Sequence, residues 1–391
     1  MNHNSSRRAF LASTLALPVA APALAAGPAL SYRPLGKTGL KVTTLGFGCM
    51  LVSDPSVVAK GLDMGLNFFD TARTYQGGNN ERMVGSVLKG KRKDIILETK
   101  TPAKTRDSAL QDLETSLKEL GTDYVDIWHL HARNTPAEIP AELLEAQQAA
   151  KKQGKIRFAG VSTHALKDVV DYLVKLGQTD VILASYNFSM GPENQMEEGI
   201  RKAREAGIGI IAMKVMAGGF SRIKRGDRLF GAEPKALTER LQKAGAMPAA
   251  LKWALKNRNV DTAIVGITDM DQLEENFAVM SAPFTEADGK VLAAQLERIG
   301  PLYCRMCGSC TGQCPRGLPV ADMLRILSYA DGYGQFPLAR ERFRELPGRV
   351  TEVRCGECAT CAVQCPNGVQ VAQRLQRAQE WFVGTTTLDA T

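Results

Sequence analysis

The chain has 391 residues, 44% hydrophobic and 23% charged, a globular balance that excludes a disordered or collagen-like polymer and suits one large domain plus a small one. Lys and Arg outnumber Asp and Glu by 49 to 41, giving a formal charge of +8. The basic residues are scattered and not interleaved with aromatics, so no nucleic-acid partner is expected.

The N-terminus carries Arg7 and Arg8, then Phe10 and Leu11, then an apolar run to Leu24. Ala23 and Ala25 flank Leu24 in a small-x-small cleavage pattern, which predicts a mature start at Ala26 and a leader over 1–25. The run is too short for a stable membrane span. The paired arginines resemble a twin-arginine signal, which implies export of a folded protein to the periplasm.

From about 42 to 282, short β-branched runs alternate with helical patterns. Strands are predicted at 44–48, 66–70, 94–99, 125–130, 156–161, 180–185, 208–213 and 262–265. Helices are predicted at 106–120, 138–153, 165–176 and 193–206. Eight strand–helix units predict a (β/α)8 TIM barrel over 31–285. The alternative, a doubly wound sheet, lacks a Gly-x-Gly-x-x-Gly after its first strand.

A barrel places its chemistry at the C-terminal ends of its strands. Strand two ends at Asp70, with Tyr75 just beyond; strand three ends at Lys100; strand four ends in His129, Leu130 and His131. The phrase NFFDTARTYQGGNNERMVG resembles the aldo-keto reductase family, as do YRPLGKTGLKVTTLGFG, YVDIWHLH, GVSTH and IVGITDMDQLEENF. The resemblance implies a catalytic tetrad of Asp70, Tyr75, Lys100 and His131. It also implies NAD(P) as cofactor and a small-molecule carbonyl or alcohol substrate. Lys100 beside Tyr75 is expected to lower the phenol's pKa, with Asp70 holding Lys100 and His131 orienting the carbonyl. His129 is expected to pack deeper than His131, His164 to edge the pocket, and Cys49 to close the first strand at the pocket floor.

The same resemblance assigns cofactor contacts to Ser162, Thr163, Tyr186, Lys214, Gly266, Thr268, Gln272, Glu275 and Asn276. Several depart from the family pattern. Thr163 stands where many members have Asn, Leu183 where a Gln is common, and Lys214 is unusual after strand seven. Thr268 and Gln272 occupy candidate 2′-phosphate positions where basic residues are frequent, so NAD and NADP both remain open. The loop 217–233 adds Arg222, Lys224, Arg225 and Arg228, which suit either a solvated loop or anionic ligands.

Eight of the nine cysteines lie in two copies of C-x2-C-x2-C-x3-C-P. Cys304, Cys307, Cys310 and Cys314 form the first, and Cys355, Cys358, Cys361 and Cys365 the second. This spacing wraps [4Fe–4S] clusters, the fourth Cys reaching the other cluster. One cluster is then expected on Cys304, Cys307, Cys310 and Cys365, the other on Cys355, Cys358, Cys361 and Cys314. Zinc or a disulfide framework is the alternative, but zinc favours paired ligands. Gly317 and Gly368, Val320 and Val371, and Leu324 and Leu375 repeat 51 residues apart. The region 286–383 resembles the α-helical ferredoxins, with 384–391 as a tail. Losing Arg7 and Arg8 takes the charge from +8 to +6, and two oxidised clusters at about −2 each leave about +2. The stretch holding Arg340, Arg342, Arg344, Arg349 and Arg354 reads as a solvated helix face or as a docking patch for a redox partner.

These features predict an exported nicotinamide-dependent oxidoreductase with two [4Fe–4S] clusters. A tightly retained nucleotide is expected, because the periplasm lacks a free pool. The alternative is an electron-transfer subunit or binding module on a barrel that no longer turns over.

Overall fold

Alternating β-branched and amphipathic segments form repeated strand–helix units. The computed structural model describes residues 29–219 and 245–383. A hairpin of β1 (Tyr32–Pro34) and β2 (Lys41–Thr43) comes first. Eight parallel strands then close into a barrel: β3 (Leu45–Gly48), β4 (Phe68–Asp70), β5 (Ile96–Thr101), β6 (Val125–Leu130), β7 (Ile156–Thr163), β8 (Val181–Ser185), β9 (Gly209–Met213) and β10 (Thr262–Gly266). All eight predicted strands are present, each within a few residues. The helices between them are α1 (Pro55–Asp63), α2 (Asn79–Leu88), α3 (Arg106–Leu120), α4 (Ala141–Lys152), α5 (Leu166–Leu176), α6 (Met196–Glu205) and α7 (Ala246–Lys256). After the barrel come α8 (Met270–Val279) and α9 (Glu286–Ile299). The predicted leader, the tail 384–391, and Arg222, Lys224, Arg225 and Arg228 lie outside the described residues.

Local chemistry sets the helix ends. α3 opens on a capping box between Thr105 and Ser108 and stops at Gly121, whose φ of 64° is left-handed. The barrel is filled at its lower end by Phe68, Ile96, Ile127, Leu183, Ile211 and Ile264. Leu35, Leu40 and Val42 from the hairpin region plug that end. Burying each such side chain stabilises the fold by about 1.5–3 kcal/mol. With its bottom sealed, the barrel opens only at the C-terminal ends of the strands, where the polar residues cluster.

The cysteine region is helical, built from α10 (Val320–Asp331), α11 (Phe336–Arg344), the short α12 (Arg349–Glu352) and α13 (Val371–Phe382). The sequence repeat is a structural one. α10 and α13 are each 12 residues long and begin 51 residues apart. Before each lies a left-handed glycine, Gly317 at φ 71° and Gly368 at φ 72°. Their core is apolar, with Met323, Leu327, Phe343 and Leu375 at its centre. The Arg374 guanidinium is buried against the Asp331 carboxylate, tying α13 to α10.

This unit docks on the open end of the barrel. A Cβ on Gly332 would stand 2.2 Å from the Gly218 carbonyl oxygen, so two backbones meet there directly. Asn194 Nδ2 donates to the Arg305 carbonyl at 2.7 Å, and Arg342 Nη2 to the Thr74 carbonyl at 3.3 Å.

Candidate active site

Asp70, Tyr75, Lys100 and His131 come together in one cavity of about 590 Å³ at the open end of the barrel. β4 ends at Asp70, β5 carries Lys100, and His131 follows β6. Tyr75 is brought in by a tight turn in which Gln76 and Gly77 have positive φ. The Lys100 ammonium contacts the Asp70 carboxylate and donates to the Thr71 carbonyl at 2.7 Å. It lies 4.9 Å from the centre of the Tyr75 ring. The Tyr75 and His131 rings meet edge to face with centroids 6.0 Å apart.

Burial works against the Lys100 ammonium, but Asp70, Tyr75 and Glu98 outweigh it and hold its pKa above the ordinary value. Burial pushes the Asp70 carboxyl well up; Lys100 pulls against this and Glu98 adds to it. Burial, with Lys100 and Arg342 nearby, drives the His131 imidazole well below its usual value, so it is neutral. The expected lowering of Tyr75 is reversed. Burial pushes the phenol up, and Lys100 recovers only part of this because Asp70 acts in the opposite direction. Tyr75 therefore stays protonated at neutral pH.

Two polar residues pair beneath the tetrad. Glu98 Oε2 lies 2.7 Å from His129 Nε2, both fully buried. His129 occupies the space where a Gly160 side chain would be, since a Cβ there would come within 2.3 Å of Nδ1. Cys49 is buried behind the strand, its Sγ 3.7 Å from the Phe47 carbonyl oxygen, and it does not line the cavity.

Of the expected cofactor contacts, Ser162, Lys214, Gly266, Thr268, Glu275 and Asn276 line the cavity. Thr163, Tyr186 and Gln272 do not. Thr163 Oγ1 lies 3.3 Å from Asn134 Oδ1. Tyr186 packs on Trp253 with the rings tilted and their centroids 4.8 Å apart, and contacts Glu197 and Asn257 instead. Gln272 Nε2 donates to Thr268 Oγ1 at 2.6 Å, bracing the start of α8. His164 lines the cavity, its Nδ1 2.8 Å from Ser185 Oγ.

The sequence reading missed the far wall, which the cysteine unit supplies. Arg325, Tyr329 and Tyr333 reach the cavity from α10 and the turn after it, and Arg342 from α11. Arg342 thus belongs to the cavity rather than to a solvated helix face.

The cysteine thiols are all free. Burial pushes the Cys304 thiol up to about 12, and Cys310, Cys307 and Cys365 add to this. Burial raises Cys355 to about 11, with Cys361, Cys358 and Cys314 adding. The thiols that act on each other are those of the two crossed sets. Among the described residues, no group of three or more His, Cys, Asp or Glu is gathered tightly enough for a single metal ion. A cubane spreads its four thiolates over four irons, so the donor set fits a cluster better than a single ion.

A family model described as the aldo/keto reductase family matches residues 55–296. The chain belongs to the aldo/keto reductase family. It is 29% identical over 284 residues to L-galactose dehydrogenase of Arabidopsis thaliana, spanning 64% of this chain and 88% of that protein. It is 28% identical over 307 residues to L-glyceraldehyde 3-phosphate reductase of Escherichia coli (strain K12), spanning 64% and 88%. Among solved structures, the holo form of aldo-keto reductase AKR11C1 from Bacillus halodurans aligns with a TM-score of 0.57 at 27% identity, covering 68% of this chain and 96% of that one. The cysteine region lies beyond the residues matched by the family model.

Members of this family are NAD(P)-dependent oxidoreductases, and the cavity suits a dinucleotide. Asn276 Oδ1 is buried at its edge with no hydrogen-bond partner among the described residues. Ser162, Thr268 and Glu275 add further polar groups. A nicotinamide bound there would supply or accept the hydride. Burial keeps the Tyr75 phenol protonated and the His131 imidazole neutral, so the pair could offer a proton and a hydrogen bond to a carbonyl oxygen placed between them. The Lys100 ammonium, held by the Asp70 carboxylate, would favour loss of a proton from the neighbouring phenol.

Proposed function

We propose that this chain is an exported aldo/keto reductase-type oxidoreductase that interconverts a small carbonyl compound and its alcohol with NAD(P), and that carries two [4Fe–4S] clusters. The convergence of Asp70, Tyr75, Lys100 and His131 in one cavity, in a chain of this family, carries the catalytic part. The crossed thiol neighbours, Cys304 with Cys365 and Cys355 with Cys314, support the cluster assignment. Arg7 and Arg8 ahead of the apolar run support twin-arginine export to the periplasm. Export explains why clusters and leader occur together, since clusters must be loaded before the chain meets an oxidising compartment. The clusters serve structure or the docking of a periplasmic redox partner. Among the described residues, no helix is long and apolar enough to cross a membrane.

The test is anaerobic purification of the mature protein, followed by nucleotide, iron and sulfide analysis and a carbonyl turnover assay with the Tyr75→Phe variant. The reading expects close to one dinucleotide and about eight irons per chain. It also expects a loss of about 10²-fold or more in turnover for Tyr75→Phe. Unchanged turnover in that variant overturns the catalytic assignment, and an iron-free protein overturns the clusters. Export is read separately, by fractionation of cells carrying Arg7→Lys and Arg8→Lys together.

A further inference from the structure

The cavity wall opposite the tetrad brings two cations onto one oxygen. Lys214 Nζ and Arg325 Nη1 each donate to the Tyr329 hydroxyl oxygen at 3.2 Å. Lys214 comes from the end of the barrel's β9, whereas Arg325 and Tyr329 come from α10 of the cysteine unit. Lys214 also lies over two aromatic faces, 4.6 Å from the Tyr329 centroid and 5.9 Å from that of Tyr333. Its backbone φ of 58° is left-handed, a conformation that costs a non-glycine residue energy and recurs where a side chain must be held for function.

The charges in this wall do not balance. Arg325 Nη2 is met by Asp322 at 2.9 Å, and Arg342, the third cation of the wall, by Glu345 at 2.9 Å. Among the described residues, Lys214 has no carboxylate partner. A sheltered cation without a counter-ion is costly, and two cations sharing one neutral phenol repel each other. Negative charge entering here, as the Tyr329 phenolate or as a ligand, would relieve that cost. Burial pushes that phenol up, but Lys214 and Arg325 bring it down to about 7, so the protein alone supplies the charge only in part at neutral pH.

We infer that Lys214 and Arg325, bridged by the Tyr329 hydroxyl, form a subsite for an anionic group, carboxylate or phosphate, on the carbonyl substrate. The inference rests on the aldo/keto reductase reading of the cavity and names the substrate class that reading leaves open. The substrate's carbonyl end meets Tyr75 and His131, and its anionic end meets a wall supplied largely by the cysteine unit. That unit thereby sets specificity for the barrel.

The experiment is calorimetric titration of the dinucleotide-saturated holoenzyme with 4-carboxybenzaldehyde and with 4-methylbenzaldehyde, which differ in charge more than in shape. The wild type binds the carboxylate at least about ten-fold more tightly, which is about 1.4 kcal/mol. Lys214→Met and Arg325→Met each bring that ratio towards one, with binding of the neutral aldehyde showing that the cavity is intact. Equal affinities in the wild type, or a preference that survives both substitutions, overturns the inference. A Lys214→Met loss confined to dinucleotide affinity, with the aldehyde ratio unchanged, also overturns it, because the cation then serves the cofactor. A carboxylate that fails to bind protein retaining its dinucleotide sinks the subsite alone; a protein that holds no dinucleotide sinks the reading beneath it as well.

Discussion

Glu98 and His129 form a buried pair directly behind Lys100, with Oε2 and Nε2 2.7 Å apart and neither side chain exposed to solvent. Glu98 precedes Lys100 by two residues on β5, and His129 is paired in register with Lys100 on β6. Burial, reinforced by Lys100, takes the His129 imidazole down to about 3, while burial pushes the Glu98 carboxyl up. His129 is therefore neutral at pH 7 and acts as a fixed hydrogen-bond partner, not as a proton carrier. Glu98→Ala strands the imidazole and should destabilise the protein by about 1–3 kcal/mol. Glu98→Gln keeps a hydrogen bond and should lose less. Denaturant unfolding of both variants checks this, and equal losses would show that the hydrogen bond contributes nothing.

Asp70→Asn separates the charge and the shape of the tetrad. The substitution leaves the Lys100 ammonium buried with neutral acceptors, the new amide oxygen and the Thr71 carbonyl, and without the carboxylate it contacts. Removing one partner of a buried ion pair costs about 3–5 kcal/mol. Because Asp70 raises the Tyr75 phenol and Lys100 lowers it, loss of the carboxylate also moves the Tyr75 pKa downwards. In the wild type the reductive rate should hold steady through neutral pH, with its alkaline fall above the ordinary tyrosine value. In Asp70→Asn that fall should move to lower pH. A pH–rate profile of both proteins measures it, and an unmoved alkaline limb would remove Tyr75 as the titrating donor.

Tyr329 provides a second titration of opposite sign. Its folded pKa of about 7 lies below the ordinary value of about 10. A depressed acid contributes stability that is fully present above the unfolded pKa and lost as pH falls through the folded one. The contribution should therefore grow from about pH 7 to about pH 10. The groups acting on Tyr329 are Lys214 and Arg325, with Tyr333 stacked on its ring at 6.1 Å and Tyr75 and Tyr303 also within electrostatic reach. Phenolate absorption near neutral pH should vanish in Tyr329→Phe and shift upwards in Lys214→Met. An unchanged titration in Lys214→Met would show that the ammonium does not act on the phenol.

The barrel was legible in the sequence because period-2 β-branched runs and period-3.6 helices alternate cleanly from Leu45 to Val279. The hairpin at Tyr32–Pro34 was not, since three-residue strands carry too little pattern. The tetrad residues sit at strand ends and in a local turn, and the family resemblance, matched along the chain, singled them out. Glu98 and His129 lie two residues before Lys100 and His131, a spacing that puts each on the same side of its strand. Their pairing across strands was the step left untaken. The reversed Tyr75 shift shows the limit of reasoning from one neighbour, because burial and Asp70 together outweigh Lys100. Tyr186 was assigned from its place after β8, but Trp253, Glu197 and Asn257 hold it away from the cavity. Arg325, Tyr329 and Arg342 were unreadable as cavity residues, because their place depends on how α10 and α11 dock over the barrel.

That docking hinges on Gly332, where no side chain fits. A Cβ there would stand 2.2 Å from the Gly218 carbonyl oxygen and 2.6 Å from that of Ser328, both of them backbone atoms with little freedom to yield. Gly332→Ala should force the end of α10 away from the loop after β9 and cost about 1–3 kcal/mol in stability. The tetrad stands on barrel strands and the turn after β4, so turnover of a small neutral carbonyl should change little. Arg325 and Tyr329 move with α10, so affinity for a carboxylate-bearing carbonyl should fall several-fold. Separate determination of kcat and KM for the two substrate types reads this directly. A fall in kcat for both, with KM unchanged, would show that the cysteine unit acts on the chemistry itself and not on the binding of charge.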